Sequence, residues 1–193
     1  MYIRTEMPKA RRKHKMSTKQ ILIAGFGGQG VLFAGKLLAY KGLIADKQVS
    51  WLPSYGPEMR GGTANCSVII SDTPVGSPII SNPDVLVAMN LPSLRKYENE
   101  VVRDGIIIVD SSLIAEKVER DDVTVYYVPA TKMAKDEGFA TLANMILMGK
   151  LMKACVEIGF DGVEAAVAKV VPPRKANLID VNLKAIKAGY DFE

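Results

Sequence analysis

The stretch ILIAGFGGQG, residues 21–30, contains the features that decide the fold. Four apolar residues, Ile21 to Ala24, predict a buried strand over residues 20–24, and the glycines that follow predict a tight turn. Residues 28–43 then place apolar side chains at helical spacing, and residues 48–52 predict a second strand. This order of strand, glycine turn, helix and strand is typical of a βαβ unit.

The remainder of the chain continues the alternation of strands and helices. Further strands are predicted at residues 64–70, 85–89, 105–110 and 123–128, and helices at residues 131–137, 141–158, 162–170 (with Asp161 as N-cap) and 177–188. The unbroken apolar run at residues 106–109 is typical of a parallel strand covered on both faces, whereas the alternation at residues 64–70 indicates an edge or antiparallel strand. We therefore expect an α/β fold, a three-layer Rossmann-like sandwich with a mostly parallel sheet.

Composition and charge indicate one domain with a basic tail. The 193 residues, 48% of them hydrophobic, are enough for one sizeable core, which we expect over residues 20–193. The net charge is +4, but seven of the 25 basic residues lie within residues 1–19 beside the single acid Glu6. We expect this tail to be disordered, and its use as a binding arm stays open. Because the rest of the chain is slightly acidic, no nucleic-acid partner is predicted.

Other classes of protein are disfavoured by what the sequence lacks. No run reaches the roughly 18 apolar residues of a membrane span, and no signal peptide is recognisable, so we expect a soluble cytoplasmic protein. Cys66 and Cys155 are too few for a self-contained iron–sulfur cluster, and the only histidine, His14, lies in the tail. We predict no metal site and no catalytic residue in this chain, and we expect both cysteines to be buried.

The glycine turn allows several ligands. GFGGQG, residues 25–30, satisfies the dinucleotide fingerprint G-x-G-x-x-G, but NAD also requires an acid at the end of the second strand. Asp46 precedes that strand, and no acid follows it before Glu58. Residues 30–36 match the nucleotide-binding pattern G-x-x-x-x-G-K, yet Leu37 stands where Ser or Thr would bind magnesium. A phosphate of another ligand, held by backbone N–H groups, and a turn with no ligand remain open.

A second loop strengthens the case for a phosphate. PSYGPEMRGG, residues 53–62, follows the second predicted strand, and we expect it beside the first loop at the carboxyl edge of a parallel sheet. Arg60 would offer a phosphate a planar, permanently charged fork, although a solvated arginine in a turn is the alternative.

Three motifs together resemble one known family. AGFGGQG (residues 24–30), WLPSYGPEMRGGTANCSVIIS (51–71) and AMNLP (88–92) resemble the gamma subunit of 2-oxoacid:ferredoxin oxidoreductases. The resemblance extends from about Gln20 to the C-terminus, and the motif sequences are most similar to those of the 2-oxoglutarate enzymes.

The resemblance implies an enzyme subunit that is not catalytic alone. Such enzymes decarboxylate a 2-oxoacid on thiamine diphosphate, pass electrons through iron–sulfur clusters to ferredoxin and release an acyl-CoA. The thiamine cofactor belongs to the alpha and beta subunits, and the clusters belong to the beta subunit or a ferredoxin-like delta subunit. The implied role of the gamma subunit is to hold coenzyme A (CoA) near the thiamine intermediate.

The resemblance also implies site residues. Backbone N–H groups of Gly27, Gly28, Gln29 and Gly30 would hold a CoA phosphate, Arg60 would lie near CoA, and Asn144 would face the same cleft. A scaffold subunit without a ligand and a free-standing NAD-binding reductase are the alternatives.

Overall fold

Six strands form one sheet in the computed structural model, which describes residues 18–55, 63–139 and 141–193. The strands are β1 (Thr18–Phe26), β2 (Gln48–Tyr55), β3 (Thr63–Ser71), β4 (Val85–Ala88), β5 (Ile106–Asp110) and β6 (Thr124–Val128). Their order across the sheet is β2-β3-β1-β4-β5-β6. The predicted α/β class with a mostly parallel sheet is confirmed.

The parallel part of the sheet consists of β1, β4, β5 and β6. Ile21 pairs with Val85, Val85 with Ile106, and Ile106 with Thr124, so the four strands end at one edge. The continuous apolar runs reflect burial on both faces, because successive residues of β4 point to opposite sides and all four are buried.

The other part of the sheet corrects the prediction of a simple βαβ unit. β2 does not lie beside β1, because β3 runs between them and is antiparallel to both. The predicted antiparallel strand is therefore an inner strand, and β2 is the edge. A strand that follows its neighbour after only seven residues pairs with it antiparallel, since a parallel return needs a longer crossover. β2 still runs in the direction of β1, so both strands end at the same edge of the sheet.

The six helices of the described residues differ from the predictions mainly at their ends. They are α1 (Val31–Ile44), α2 (Leu91–Tyr97), α3 (Ala130–Asp136), α4 (Ala143–Ala154), α5 (Val163–Val170) and α6 (Ile179–Asp191). The sequence interpretation missed α2, a seven-residue helix capped by the Asn90 side chain, which accepts from the Ser93 N–H at 2.8 Å. The predicted N-cap Asp161 is wrong, because Gly162 occupies that position with φ 78° and no side-chain cap bond.

The two faces of the sheet are covered unequally. One core combines alternate strand residues such as Ile23 and Ile108 with side chains of α1, α3, α4, α5 and α6. The smaller core on the other face combines Leu22, Leu86 and Ile107 with Leu94 of α2 and Ile114. The fold is thus a three-layer sandwich in which one outer layer contains a single short helix among the described residues.

β1 begins at Thr18, two residues before the start of the strand predicted from the sequence. Thr18 pairs with Ser71 at the end of β3, and their hydroxyl oxygens lie 2.7 Å apart. Lys19 forms an ion pair of 3.0 Å with Glu157. Residues 1–17, the remainder of the predicted tail, lie outside the described residues. No helix in the described residues is long and apolar enough to cross a membrane.

Two glycines allow α4 and α6 to pack with their backbones in contact. A Cβ on Gly149 would overlap the carbonyl oxygen of Ile186, and a Cβ on Gly189 would overlap that of Ile146. Because the obstructing atoms belong to helix backbones, a side-chain rotation cannot relieve the overlap. The close approach of the two helices therefore depends on glycine at both positions.

We expect Gly189→Ala to destabilise the protein, although alanine is the better helix former by about 1 kcal/mol. Separating two packed helices should cost more than that gain, for a net loss of about 1–3 kcal/mol in the free energy of unfolding. Urea unfolding would measure it, with Gly76→Ala as control because a Cβ at that exposed glycine meets nothing within 4 Å. Equal or greater stability of Gly189→Ala would contradict the packing argument.

Candidate functional site

The connection from β1 to α1 is a glycine loop, residues 27–30, at the carboxyl edge of the sheet. Gly28 has φ 96° and Gly30 has φ 77°, in the left-handed region that side chains with a Cβ rarely adopt. Ala34 donates the first helical hydrogen bond, to the Gly30 carbonyl at 3.0 Å. The N–H groups of the first helical residues therefore have no partner within the helix and present its positive end to the loop.

Gln29 uses both its backbone and its side chain to hold this loop. Its backbone N–H donates to the Phe26 carbonyl at 3.2 Å. Its Oε1 accepts from the Phe26 N–H at 2.6 Å, and its Nε2 donates to the Met89 carbonyl at 2.8 Å. The side chain thereby joins the ends of β1 and β4, which makes Gln29 a positioning residue of the loop.

Asn144 lies against the same loop, from the first turn of α4. It is buried, and its Nδ2 donates to the Gly30 carbonyl at 3.1 Å. A Cβ on Gly30 would overlap this amide, so the contact also needs glycine at position 30. The structure thus brings Asn144 together with the glycine loop, although the two are 114 positions apart in sequence.

One cavity lies on the side of the glycine loop towards β2. Its volume is about 400 Å³, and its lining combines the loop with the first two turns of α1 and with Trp51. Lys36 is the basic residue among the described lining residues. Sequence reasoning considered Lys36 only within a nucleotide-binding pattern and did not predict it for this site.

A second cavity, of about 320 Å³, lies on the other side of the loop. Its lining brings Gly28, Gly30 and Asn144 together with Arg174 and Lys175 of the 3₁₀ turn Pro173–Leu178. Sequence reasoning missed these two basic residues, because it treated Pro172 and Pro173 only as a helix break. The signal was the run PPRK, two basic residues placed directly after a rigid segment.

Arg60, the remaining predicted site residue, lies outside the described residues. β2 ends at Tyr55 and β3 begins at Thr63, both at the edge of the sheet where the glycine loop lies. The described strands on either side of residue 60 therefore both reach that edge.

The topology argues against the two nucleotide interpretations of the loop. In a dinucleotide fold the strand beside β1 ends with the acid that binds the ribose, but here antiparallel β3 occupies that position. Asp46 lies in the turn before β2, at the opposite edge. Gly35, part of the G-x-x-x-x-G-K pattern, lies inside α1, where a Cβ would overlap the Cys66 sulfur.

Cys66 and Cys155 are free, buried thiols. Burial raises the pKa of Cys66 to about 12 and that of Cys155 to about 11, so both remain protonated at neutral pH. Within the described ranges, no group of three His, Cys, Asp or Glu residues is placed to hold a metal ion. The described polar groups of the site are therefore the backbone N–H groups of the loop and of the first turn of α1, the Asn144 amide and the basic side chains of Lys36, Arg174 and Lys175.

Comparison with known proteins gives a consistent set of relatives. A family model described as "Pyruvate ferredoxin/flavodoxin oxidoreductase" matches residues 20–192. The ketoisovalerate oxidoreductase subunit VorA of Methanothermobacter marburgensis is 38% identical over 177 residues, which cover 90% of this chain. The chain spans only 36% of the length of that relative. The 2-oxoglutarate synthase subunit KorC of Methanocaldococcus jannaschii is 34% identical over 184 residues, which cover 94% of this chain and 96% of KorC.

Solved structures share the fold. A keto/oxoacid ferredoxin oxidoreductase gamma subunit from Geobacter sulfurreducens superposes with a TM-score of 0.75 at 30% identity, over 90% of this chain and 96% of that one. A 2-oxoglutarate:ferredoxin oxidoreductase from Magnetococcus marinus, with 2-oxoglutarate, coenzyme A and succinyl-CoA bound, gives a TM-score of 0.80 at 21% identity. That second match covers 90% of this chain and 30% of the other, and it shows the fold alone.

We expect Gln29→Ala to lower the free energy of unfolding by about 1–3 kcal/mol, because it leaves the Phe26 N–H and the Met89 carbonyl without their side-chain partner. Gln29→Glu keeps the acceptor for Phe26 but turns a carboxylate towards the Met89 carbonyl, so it should not restore stability. Urea unfolding would compare both with Gln48→Ala, a change at an exposed glutamine of the edge strand. If Gln29→Ala were as stable as the wild type, the two side-chain hydrogen bonds of Gln29 would not contribute to stability.

Proposed function

We propose that this chain, which belongs to the pyruvate ferredoxin/flavodoxin oxidoreductase family, is the gamma-type subunit that binds and positions coenzyme A in a 2-oxoacid:ferredoxin oxidoreductase. The resemblance to such gamma subunits, predicted from the three motifs, is confirmed. The proposal extends it to a ligand, a substrate and a set of partners.

The reaction we propose for the whole complex divides its chemistry among subunits. A 2-oxoacid loses CO₂, its acyl group is transferred to the CoA thiol, and two electrons pass to ferredoxin. Two buried cysteines cannot supply the four thiolates of an iron–sulfur cluster, and the described residues contain no group of three His, Cys, Asp or Glu residues placed to hold a metal ion. We therefore assign thiamine diphosphate and the clusters to alpha, beta and ferredoxin-like partner subunits.

The observation that carries the proposal is the glycine loop between two cavities. The first N–H groups of α1 have no partner within the helix, Lys36 lines one cavity, and Arg174 and Lys175 line the other. This arrangement suits a ligand with several phosphate groups and an elongated shape. CoA has both properties, and its phosphates are remote from its reactive thiol.

The proposed residue roles follow from these contacts. Gly27, Gly28 and Gly30 let the backbone approach a phosphate, while Gln29 and Asn144 hold the loop in shape. Arg60 is proposed to contact CoA as a charged fork. Binding the distant phosphates fixes the thiol near the thiamine intermediate, which replaces a bimolecular encounter with a positioned attack.

For the 2-oxoacid we propose 2-oxoglutarate. Two observations support this substrate: the residue sequence of the SYGPEMRGGTANCSVIIS motif, and the similarity to the KorC relatives, which are named as 2-oxoglutarate synthase subunits. Ketoisovalerate is the second candidate, because VorA is slightly more identical to this chain.

In the purified complex, we expect Arg60→Ala to raise KM for CoA about tenfold or more without changing thiamine content. The loss of one charge-assisted phosphate contact costs about 1.5–3 kcal/mol, which supports that scale. Arg103→Ala is a matched control, because Arg103 precedes β5 at the opposite edge of the sheet.

An unchanged KM for CoA in Arg60→Ala would remove Arg60 from the site. Calorimetry with CoA and with NAD⁺ on the wild-type complex then separates the alternatives. Heat of binding from neither ligand would favour a scaffold subunit, and heat from NAD⁺ alone would favour a reductase.

Steady-state assays of the complex with saturating CoA and ferredoxin would test the substrate. We expect kcat/KM for 2-oxoglutarate to exceed that for ketoisovalerate and pyruvate by about tenfold or more, the scale that one unmatched charged group sets. A higher kcat/KM for ketoisovalerate would replace 2-oxoglutarate with the second candidate.

A further inference from the structure

We propose that the second cavity binds the adenosine 3′-phosphate end of CoA, with Arg174 and Lys175 as its phosphate-binding residues. The inference rests on the proposed function and assigns one part of the ligand to one described cavity. It would make this chain the subunit that distinguishes CoA from ligands without the 3′-phosphate.

The charge of the second cavity is positive on one wall. Arg174 and Lys175 are both exposed, and no described residue forms an ion pair with either. The described lining residues include no carboxylate that would repel an anion. A guanidinium beside an ammonium group suits a phosphate monoester, which carries close to two negative charges at neutral pH.

The two basic residues are held by a short, rigid turn. Pro172 and Pro173 come directly before Arg174 and restrict the backbone there, because the proline ring fixes φ. The Lys175 N–H donates to the Pro172 carbonyl at 2.8 Å. Prolines reduce the conformations that the segment must give up when a ligand binds. The pair is therefore better prepared for binding than two basic residues in a flexible loop.

The remaining walls suit a flat heterocyclic base. Apolar side chains contribute much of the lining: Phe33, Leu142, Val171, Pro172 and Leu178. Asn182 of α6 also lines the cavity and is only 3% exposed. Its Nδ2 donates to the Leu178 carbonyl at 2.7 Å, whereas its Oδ1 has no hydrogen-bond partner.

The position of the cavity fits the two phosphate groups of CoA. Gly28, Gly30 and Phe33 line both cavities, so a ligand that occupies both must cross the glycine loop. The diphosphate bridge would lie at the loop and the helix end, and the 3′-phosphate, one ribose away, would lie at Arg174 and Lys175. The pantetheine arm would then leave through the cavity that contains Lys36.

The test compares CoA with dephospho-CoA, which lacks only the 3′-phosphate, in the purified complex. For the wild type we expect KM for dephospho-CoA to exceed KM for CoA by about tenfold or more. The double variant Arg174→Ala/Lys175→Ala should lose most of this preference, through weaker use of CoA and with little change for dephospho-CoA. Arg174→Lys, which keeps the charge, should retain part of it.

Lys184→Ala is the matched control, because it removes one positive charge from the exposed surface of α6 outside the cavity. A preference that is unchanged in the double variant would overturn the inference. Equal weakening towards both ligands would also overturn it, by placing the diphosphate rather than the 3′-phosphate at these residues.

The inference and the proposed function fail in different ways. If the wild-type complex uses CoA but the double variant keeps the full preference, only the assignment of the second cavity is lost. If the wild-type complex neither binds CoA in calorimetry nor requires it for turnover, the proposed function and this inference both fall.

Discussion

The left-handed backbone of Gly28 and Gly30 is the constraint on which the site depends. It lets the chain turn from the end of β1 into α1 within four residues and leaves the helix N–H groups facing outward. At Gly30 the missing Cβ also leaves room for Asn144, so α4 approaches the loop directly. A second pair of glycines, Gly149 and Gly189, then brings α6 against α4. The second cavity lies between the glycine loop, α4 and α6. Its position therefore depends on these two close contacts, each of which needs glycine.

The sequence indicated the parallel half of the sheet well and the other half less well. Residues 106–109 are all apolar, and in a strand their side chains point alternately to the two faces of the sheet. Both faces must then be covered, as they are for a parallel strand between two helical layers. The alternation at residues 64–70 identified an antiparallel strand but did not indicate its neighbours. Strand order depends on which pairings bury the most surface across the whole sheet, and no local pattern encodes that choice. The same limit explains why β2 was predicted beside β1 and was found at the edge.

Parts of the site could be predicted for comparable reasons. The conformational demand at Gly28 and Gly30 is local, so the sequence indicated it directly. The sequence did not predict that the Gln29 side chain holds the loop. Its partners are backbone groups at the ends of β1 and β4, and backbone groups can bond to many kinds of polar side chain. The sequence did not indicate that Arg174 and Lys175 lie near the loop, because the cavity they line is formed by segments more than 140 residues from the glycines. Asn144 was predicted to face the cleft only through the family resemblance; in the structure its amide lies against the glycine loop.

The inserted strand β3 also explains why a dinucleotide-like loop need not bind a dinucleotide. In the dinucleotide fold, the acid that binds the ribose stands on the strand next to β1, and specificity is decided within one βαβ unit. Here that neighbour is antiparallel, so it begins rather than ends beside the loop and brings no strand terminus with an acid to the ligand. Selectivity must then come from elements farther along the chain that converge on the same glycines. The turn at Pro173–Leu178 and the first turn of α4 do converge there, and both contribute cationic or neutral polar groups. In the proposed function, the loop holds one phosphate group of the ligand, and the basic residues of the Pro173–Leu178 turn hold another.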